Sequence, residues 1–262
     1  SYIEKVYSIT EKVRGITDSR IKPRIPTENI WFSGMFMFAL RMGSVNAMAI
    51  ELKNLKSIWK IVGKDKPSAD RIGDVFALMD TDAIRELLYG INYKLKRNKA
   101  LQSKSPLRFA AVDGHELFSS RKRCCSGCLK RTVTVNGENV VEYYHRVVVC
   151  HLTGFDLALP LDVEPVLPGE GEVKAAKRLL KRVFKKYPRY FDCILADGLY
   201  LEEPFFNFCL KHKKDVIAVL KSDRRILMQD AKGVFQMTKP VVLKAAGVEA
   251  NVWDAEGFNS ME

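Results

Sequence analysis

Two short runs constrain this chain more than any other feature: residues 108–115 (RFAAVDGH) and residues 191–200 (FDCILADGLY). Each reads as an apolar strand closing on an aspartate followed by glycine, Asp113-Gly114 and Asp197-Gly198. A carboxylate at the end of a buried strand is costly unless something compensates it. Asp-Gly is also a common turn signal, so either pair alone is read first as a simple turn. Two such carboxylates on neighbouring strands, however, gather oxygen ligands of the kind hard divalent cations require. Two metals held in this way can activate a nucleophile and stabilise a leaving oxygen at phosphorus.

The elements around these runs favour the second reading. Residues 1 to about 104 look helical. Trp31–Lys60 carries apolar residues at helical spacing. Pro67-Ser68-Ala69-Asp70 opens a helix through Ile72, Val75, Phe76 and Met79, and Asp80-Thr81-Asp82 opens another through Ala83, Leu87 and Leu88. Two helices around a tight break suit a helical hairpin or a helix-turn-helix. No recognition-helix pattern stands out, which favours the hairpin. From Pro106 the texture changes. Leu107–Val112 is a strand ending at Asp113, and Arg131–Val135 and Val140–Leu152 alternate around the hairpin signal Asn136-Gly137. Val173–Tyr187 is an amphipathic helix with the stripe Val173, Ala176, Leu180, Val183, Phe184 and Tyr187, and a basic outer face. Strand Asp192–Ala196, a helix from Pro204 to about His212, and strand Val216–Leu220 follow. Val241–Leu243 and Val248–Trp253 read as short strands. The order β–β–β–α–β–α–β predicts a mixed sheet flanked by helices.

Charge points to a polyanionic partner. Lys and Arg number 43 against 31 Asp and Glu, a net charge of +12. Such a surplus suits nucleic acid or an acidic membrane surface. The most apolar stretch, Ile30–Leu40, is about half the length a membrane span needs. Ser1–Arg14 lacks the texture of a signal peptide, and a start at Ser1 rather than Met suggests a fragment. The six cysteines are too sparse and irregular for a disulfide scaffold, which predicts a reducing, cytoplasmic compartment.

Three strands, a helix, then strand–helix–strand, with acids on the first and fourth strands, resembles the ribonuclease H-like arrangement. Locally, residues 112–120 (VDGHELFSS), residues 195–204 (LADGLYLEEP) and residues 219–221 (VLK) resemble the DDE transposases of the insertion-sequence 4 group. The resemblance covers about 106–262. It implies a small helical region over 1–105, a candidate for DNA binding, and an incomplete α/β ribonuclease H-like domain over 106–262. It also implies that Asp113 and Asp197 are catalytic and bind Mg2+, with Mn2+ as substitute. The implied activity is metal-dependent cleavage and strand transfer at transposon ends. The implied partners are double-stranded DNA, as transposon end and target, and a second copy in the synaptic complex; the implied location is the bacterial cytoplasm and nucleoid. The family's third acid is a Glu within Tyr-x2-Arg-x3-Glu-x6-Lys. No tyrosine follows Tyr200, so that motif is absent. Val248–Phe258 resembles part of the β-rich insertion that precedes it, and the 262 residues are expected to be inactive alone. The rivals are a DNA-binding remnant without catalysis and a ribonuclease H-like nuclease.

Two further clusters bear on chemistry. Cys125-x2-Cys128 followed by His145-x5-His151 is close to a zinc pattern. On a regular strand His145 and His151 would lie about 20 Å apart, too far to share a metal. The feasible zinc set is Cys124 or Cys125, Cys128 and His145 with one further ligand; otherwise the segment is a turn with reduced thiols. Around it stand Arg121, Lys122, Arg123, Lys130 and Arg131, which with Lys221 are candidate phosphate contacts. The basic face of the 173–187 helix is read chiefly as a solvated face.

Overall fold

The computed structural model describes residues 2–54, 56, 59–102, 105–221, 225–245 and 247–258. The chain forms two compact units, residues 1–100 and residues 101–262. No helix among the described residues is long and apolar enough to cross a membrane.

The first unit is helical: α1 (Tyr2–Tyr7), α2 (Ile9–Arg14), α3 (Thr27–Ala39), α4 (Val45–Asn54), α5 (Trp59–Val62), α6 (Ala69–Leu78) and α7 (Thr81–Arg97). The helical spacing of residues 31–60 is thus divided among three helices, with Arg41 at φ 53° in the break after α3. Ser68 caps α6 by accepting from the Arg71 amide, and Asp80 caps α7 by accepting from the Asp82 and Ala83 amides, which satisfies amides that would otherwise be orphaned. The hairpin expectation for these two helices needs correction. α6 packs on α3 and α4, whereas α7 packs on α1 and α2. The core they share includes Val13, Ile30, Met48, Leu52, Ile72, Val75 and Leu87. Burial of these side chains, not contact between sequence neighbours, sets the helix partners.

Asp18 ties down the segment between α2 and α3. Its carboxylate accepts from Arg20 Nε and Nη2 at 2.8 and 2.7 Å and from Thr27 Oγ1 at 2.6 Å. These donors hold its pKa well below the ordinary carboxylate range, the Arg20 side chain contributing most.

The second unit is α/β. Its elements are β1 (Phe109–Ser120), β2 (Leu129–Val135), β3 (Glu138–Thr153), β4 (Leu159–Pro165), α8 (Glu172–Lys186), β5 (Cys193–Ala196), a short 3-10 turn at Gly198–Tyr200, α9 (Glu203–Lys211), β6 (Asp215–Ala218), α10 (Ile226–Met237), β7 (Val241–Ala245) and β8 (Val248–Val252). The first six strands form one mixed sheet and the last two a separate hairpin. β1 is central, antiparallel to β3 and parallel to β5, which is parallel to β6. The far edge of β3 is divided: β2 pairs with its first half and β4 with its second. The β2–β3 turn has positive φ at both Asn136 and Gly137, as a tight hairpin of this hand requires. α8 packs on β3 and β4, α9 packs on β6, and the two helices touch. The expected stripe of α8 is buried at Ala176, Leu180, Val183, Phe184 and Tyr187.

Three sequence expectations change here. β1 does not end at Asp113 but runs on to Ser120, because β3 continues to pair with it beyond that point. β4 was absent from the expected order. Its acids Asp162 and Glu164 are buried against Arg178 and Arg182 of α8, at 2.5–2.8 Å, so a strand with a charged buried face looks like a loop in sequence. α10 was also absent, in a segment whose apolar pattern is weak.

Candidate functional site

The two aspartates come from neighbouring central strands. The β1–β5 register runs from Phe109↔Cys193 to Val112↔Ala196, so Asp113 and Asp197 are the next residues along two parallel, paired strands. β5 stops there while β1 continues, paired only to β3, opposite Val149. Asp113-Gly114 is therefore not a turn. Asp197-Gly198 is one: Asp197 Oδ1 accepts from the Leu199 amide at 2.9 Å and caps the 3-10 turn. Asp113 Oδ1 accepts from the Gly114 amide at 2.8 Å. Asp113 is exposed, and the side chain of Asp197 is 43% exposed. The backbone of the 3-10 turn is held from outside by Arg225, which donates to the carbonyls of Gly198 and Leu201.

Sequence reasoning missed what lies beneath these carboxylates. Glu172, the first residue of α8, directs its side chain over Gly114; a Cβ built on Gly114 would meet Glu172 Oε2 at 2.0 Å. The Glu172 carboxylate accepts from the buried Tyr200 hydroxyl at 2.8 Å and from Arg146 Nη1 at 3.1 Å. Burial pushes the Tyr200 phenol pKa up, and the negative charges of Glu172, Asp113 and Asp197 push it further. The phenol therefore stays a hydrogen-bond donor, and Glu172 remains anchored. An acid in the first turn of α8 also suits the positive end of the helix. The faint sequence signal for this arrangement was Gly114 itself, which leaves the space that Glu172 fills.

The predicted phosphate contacts divide into two groups. Arg131 lies between Glu116 and Glu142 at 2.6–2.9 Å, with its guanidinium 4.6 Å from the Tyr144 ring centroid. Those carboxylates raise its pKa further, and its charge is neutralised within the sheet. Arg121 is 3.7 Å from Glu142. Lys122 and Arg123 follow β1 in an exposed turn whose amides donate to Ser120 Oγ. Lys130 Nζ lies 5.7 Å from the Tyr143 ring centroid. Lys221 sits beside Asp197, its Nζ 3.9 Å from Asp197 Oδ2 and its side chain 63% exposed. On α8, Lys177 pairs with Glu202, while Arg178 and Arg182 pair with acids of β4 and the β4–α8 connection.

A second constellation gathers at the β1–β2 connection. Cys125, Cys128 and His145 bring their ligand atoms within 4.8 Å of one another. Cys124 is exposed and outside that group, and His151 lies farther along β3, opposite Ala111.

No family model matches the chain, and no curated protein matches it. Among solved structures, a cryo-EM structure of the piggyBac transposase synaptic complex with hairpin DNA is similar at a TM-score of 0.44 and 14% identity. The match covers 88% of this chain and 52% of that one, so the chain spans about half the length of that neighbour.

Proposed function

We propose that the second unit is a ribonuclease H-like domain of the DDE transposase kind, acting on DNA phosphodiesters, with Asp113 and Asp197 as paired catalytic carboxylates. The observation that carries this reading is the parallel β1–β5 register, which ends at Val112↔Ala196 and leaves Asp113 and Asp197 side by side. The chain order supports it with one change: the three strands before the helix are β1, β3 and the unexpected β4, followed by α8, β5, α9 and β6, and β2 is an added hairpin arm.

The donor set fits Mg2+ or Mn2+. Both groups are hard carboxylates, both reach solvent, and Lys221 beside Asp197 adds a cation where a phosphate would approach. Asp113 and Asp197 would hold the ion, which would supply Lewis acidity to an attacking hydroxyl and charge neutralisation at a leaving oxygen. The chain's own residues do the positioning. Glu172, fixed by Tyr200 and Arg146, props β1 at Gly114, and Arg225 fixes the turn after Asp197. Lys122, Arg123 and Lys130 flank the hairpin arm that continues from β1, where they can follow a phosphate backbone.

The test is duplex-DNA binding with Mn2+ and with a chelator, in wild type, Asp113→Ala and Asp197→Ala. A phosphate bridged to the carboxylates by metal should make wild-type binding tighter with Mn2+, and either substitution should remove that gain. Equal affinity with and without Mn2+ would favour a DNA-binding domain without a metal site. A gain that survives both substitutions would place the metal elsewhere.

A further inference from the structure

We propose that Cys125, Cys128 and His145 form a structural Zn2+ site that pins the β1–β2 connection to β3. Cys125 and Cys128 lie in the turn between β1 and β2, and His145 lies in the middle of β3. Their sulfur atoms are 3.7 Å apart, and each is 3.3 Å from His145 Nε2. A tetrahedral zinc with Zn–S of about 2.3 Å and Zn–N of about 2.0–2.1 Å places its ligand atoms roughly 3.6–3.8 Å apart. The observed triangle differs from that by only a few tenths of an ångström.

Each ligand is held by something other than metal. The turn is closed by the Cys128 amide donating to the Cys125 carbonyl at 3.2 Å. The Cys125 amide donates to Cys128 Sγ at 3.2 Å. Phe118 of β1 lies against the His145 ring, with centroids 5.2 Å apart, and fixes its orientation. Cys128 is buried, whereas Cys125 is exposed. A sulfur separation of 3.7 Å is far beyond a disulfide bond. Two thiolates and an imidazole are soft and borderline ligands, which select zinc over Mg2+. Among the described residues no fourth metal-ligating side chain joins the triangle, so water would complete the coordination. The site is separate from Asp113 and Asp197 and does not depend on their role.

Zinc here would stiffen the loop that carries Arg121, Lys122 and Arg123 and leads into β2 at Lys130. The test begins with metal analysis of the full chain, purified under reducing conditions and dialysed against zinc. About one zinc per chain is expected. Co2+ in its place should give tetrahedral ligand-field bands and sulfur-to-cobalt charge transfer. Cys125→Ser, chosen because Cys125 is exposed, and His145→Ala should each abolish the charge-transfer intensity or reduce it strongly, whereas Cys124→Ser should keep it. Removing zinc should also speed trypsin cleavage within residues 121–131 while leaving cleavage in residues 172–186 unchanged. The proposal fails if wild type takes up no zinc, if the cobalt spectrum is unchanged in Cys125→Ser and His145→Ala, or if Cys124→Ser loses the metal. Isolation of Cys125 and Cys128 as a disulfide from zinc-treated protein would mark them as a redox pair and overturn it too.

Discussion

Gly114→Ala is a small change in volume with a large expected consequence. The new Cβ would sit 2.0 Å from Glu172 Oε2 and 2.2 Å from Glu172 Cδ, so the carboxylate must swing away. It cannot do so without leaving Tyr200 and Arg146, at 2.8 and 3.1 Å. Hydrogen bonds to a charged group contribute about 1.5–3 kcal/mol each, and stranding the buried Tyr200 hydroxyl costs about 1–3 kcal/mol. These terms overlap, and alanine's smaller backbone entropy loss offsets about 0.5–1 kcal/mol, which leaves a net cost of about 2–5 kcal/mol. For a unit of this size that lowers Tm by about 5–15 °C. Scanning calorimetry on wild type, Gly114→Ala, Glu172→Ala and the double variant isolates the contact. In the Glu172→Ala background the clash is gone, so Gly114→Ala should add less than about 0.5 kcal/mol, a strong coupling between the two positions. A near-neutral Gly114→Ala, or the same cost in both backgrounds, would refute the placement of Glu172 over β1.

Asp18→Ala should destabilise the helical unit by about 3–5 kcal/mol, because it leaves Arg20 without its partner in a site where the Asp18 side chain is 1% exposed. Arg14→Ala, which breaks the exposed pair with Glu28, should cost no more than about 1 kcal/mol in denaturant unfolding, and equal losses would contradict this. Asp192 is held below its ordinary pKa chiefly by Arg108, and Glu170 chiefly by Arg178. Each therefore adds stability that is fully present above its unfolded pKa of about 4 and is lost as pH falls through the lower folded value. Unfolding measured from neutral to acid pH should show a shallower acid loss in Arg108→Met than in wild type, and parallel curves would count against this. Lys122→Ala and Arg123→Ala should each weaken duplex-DNA binding and reduce the salt slope by about one, while Lys177→Ala, which breaks a pair with Glu202, should leave the slope unchanged.

Sequence carried β5 and the first part of β1 because residues 193–196 and 109–112 are uniform apolar runs; the second half of β1 is polar and gave no such signal. Sequence also carried α8 because five stripe residues, Ala176, Leu180, Val183, Phe184 and Tyr187, are buried at helical spacing. It misread β4 because Asp162 and Glu164 are buried by pairing with Arg178 and Arg182. A strand whose inner face is half charged gives no hydrophobic alternation. Ion pairing in the fold was equally hidden: Arg131 pairs with Glu116 and Glu142, and Arg178 and Arg182 with acids of β4, partners that sequence does not reveal. The Cys125–Cys128 spacing and the choice of His145 over His151 were legible, the latter from the length of strand between the two histidines; the fold decided that Cys125, not Cys124, joins them. Glu172 was missed because its role depends on where α8 begins relative to β1, a tertiary fact whose one local trace is Gly114.

A single divalent-metal site shared by Asp113 and Asp197 is tested most directly by Fe2+-mediated backbone cleavage. Fe2+ replaces Mg2+ at carboxylate sites, and with ascorbate and peroxide it cuts the nearest peptide bonds, which mass spectrometry then maps. Cuts should cluster near residues 113 and 197 together, excess Mg2+ should suppress both, and Asp113→Ala should remove both. Cleavage near residue 197 that persists in Asp113→Ala, or no Mg2+-suppressible cleavage at either strand end, would contradict a shared site.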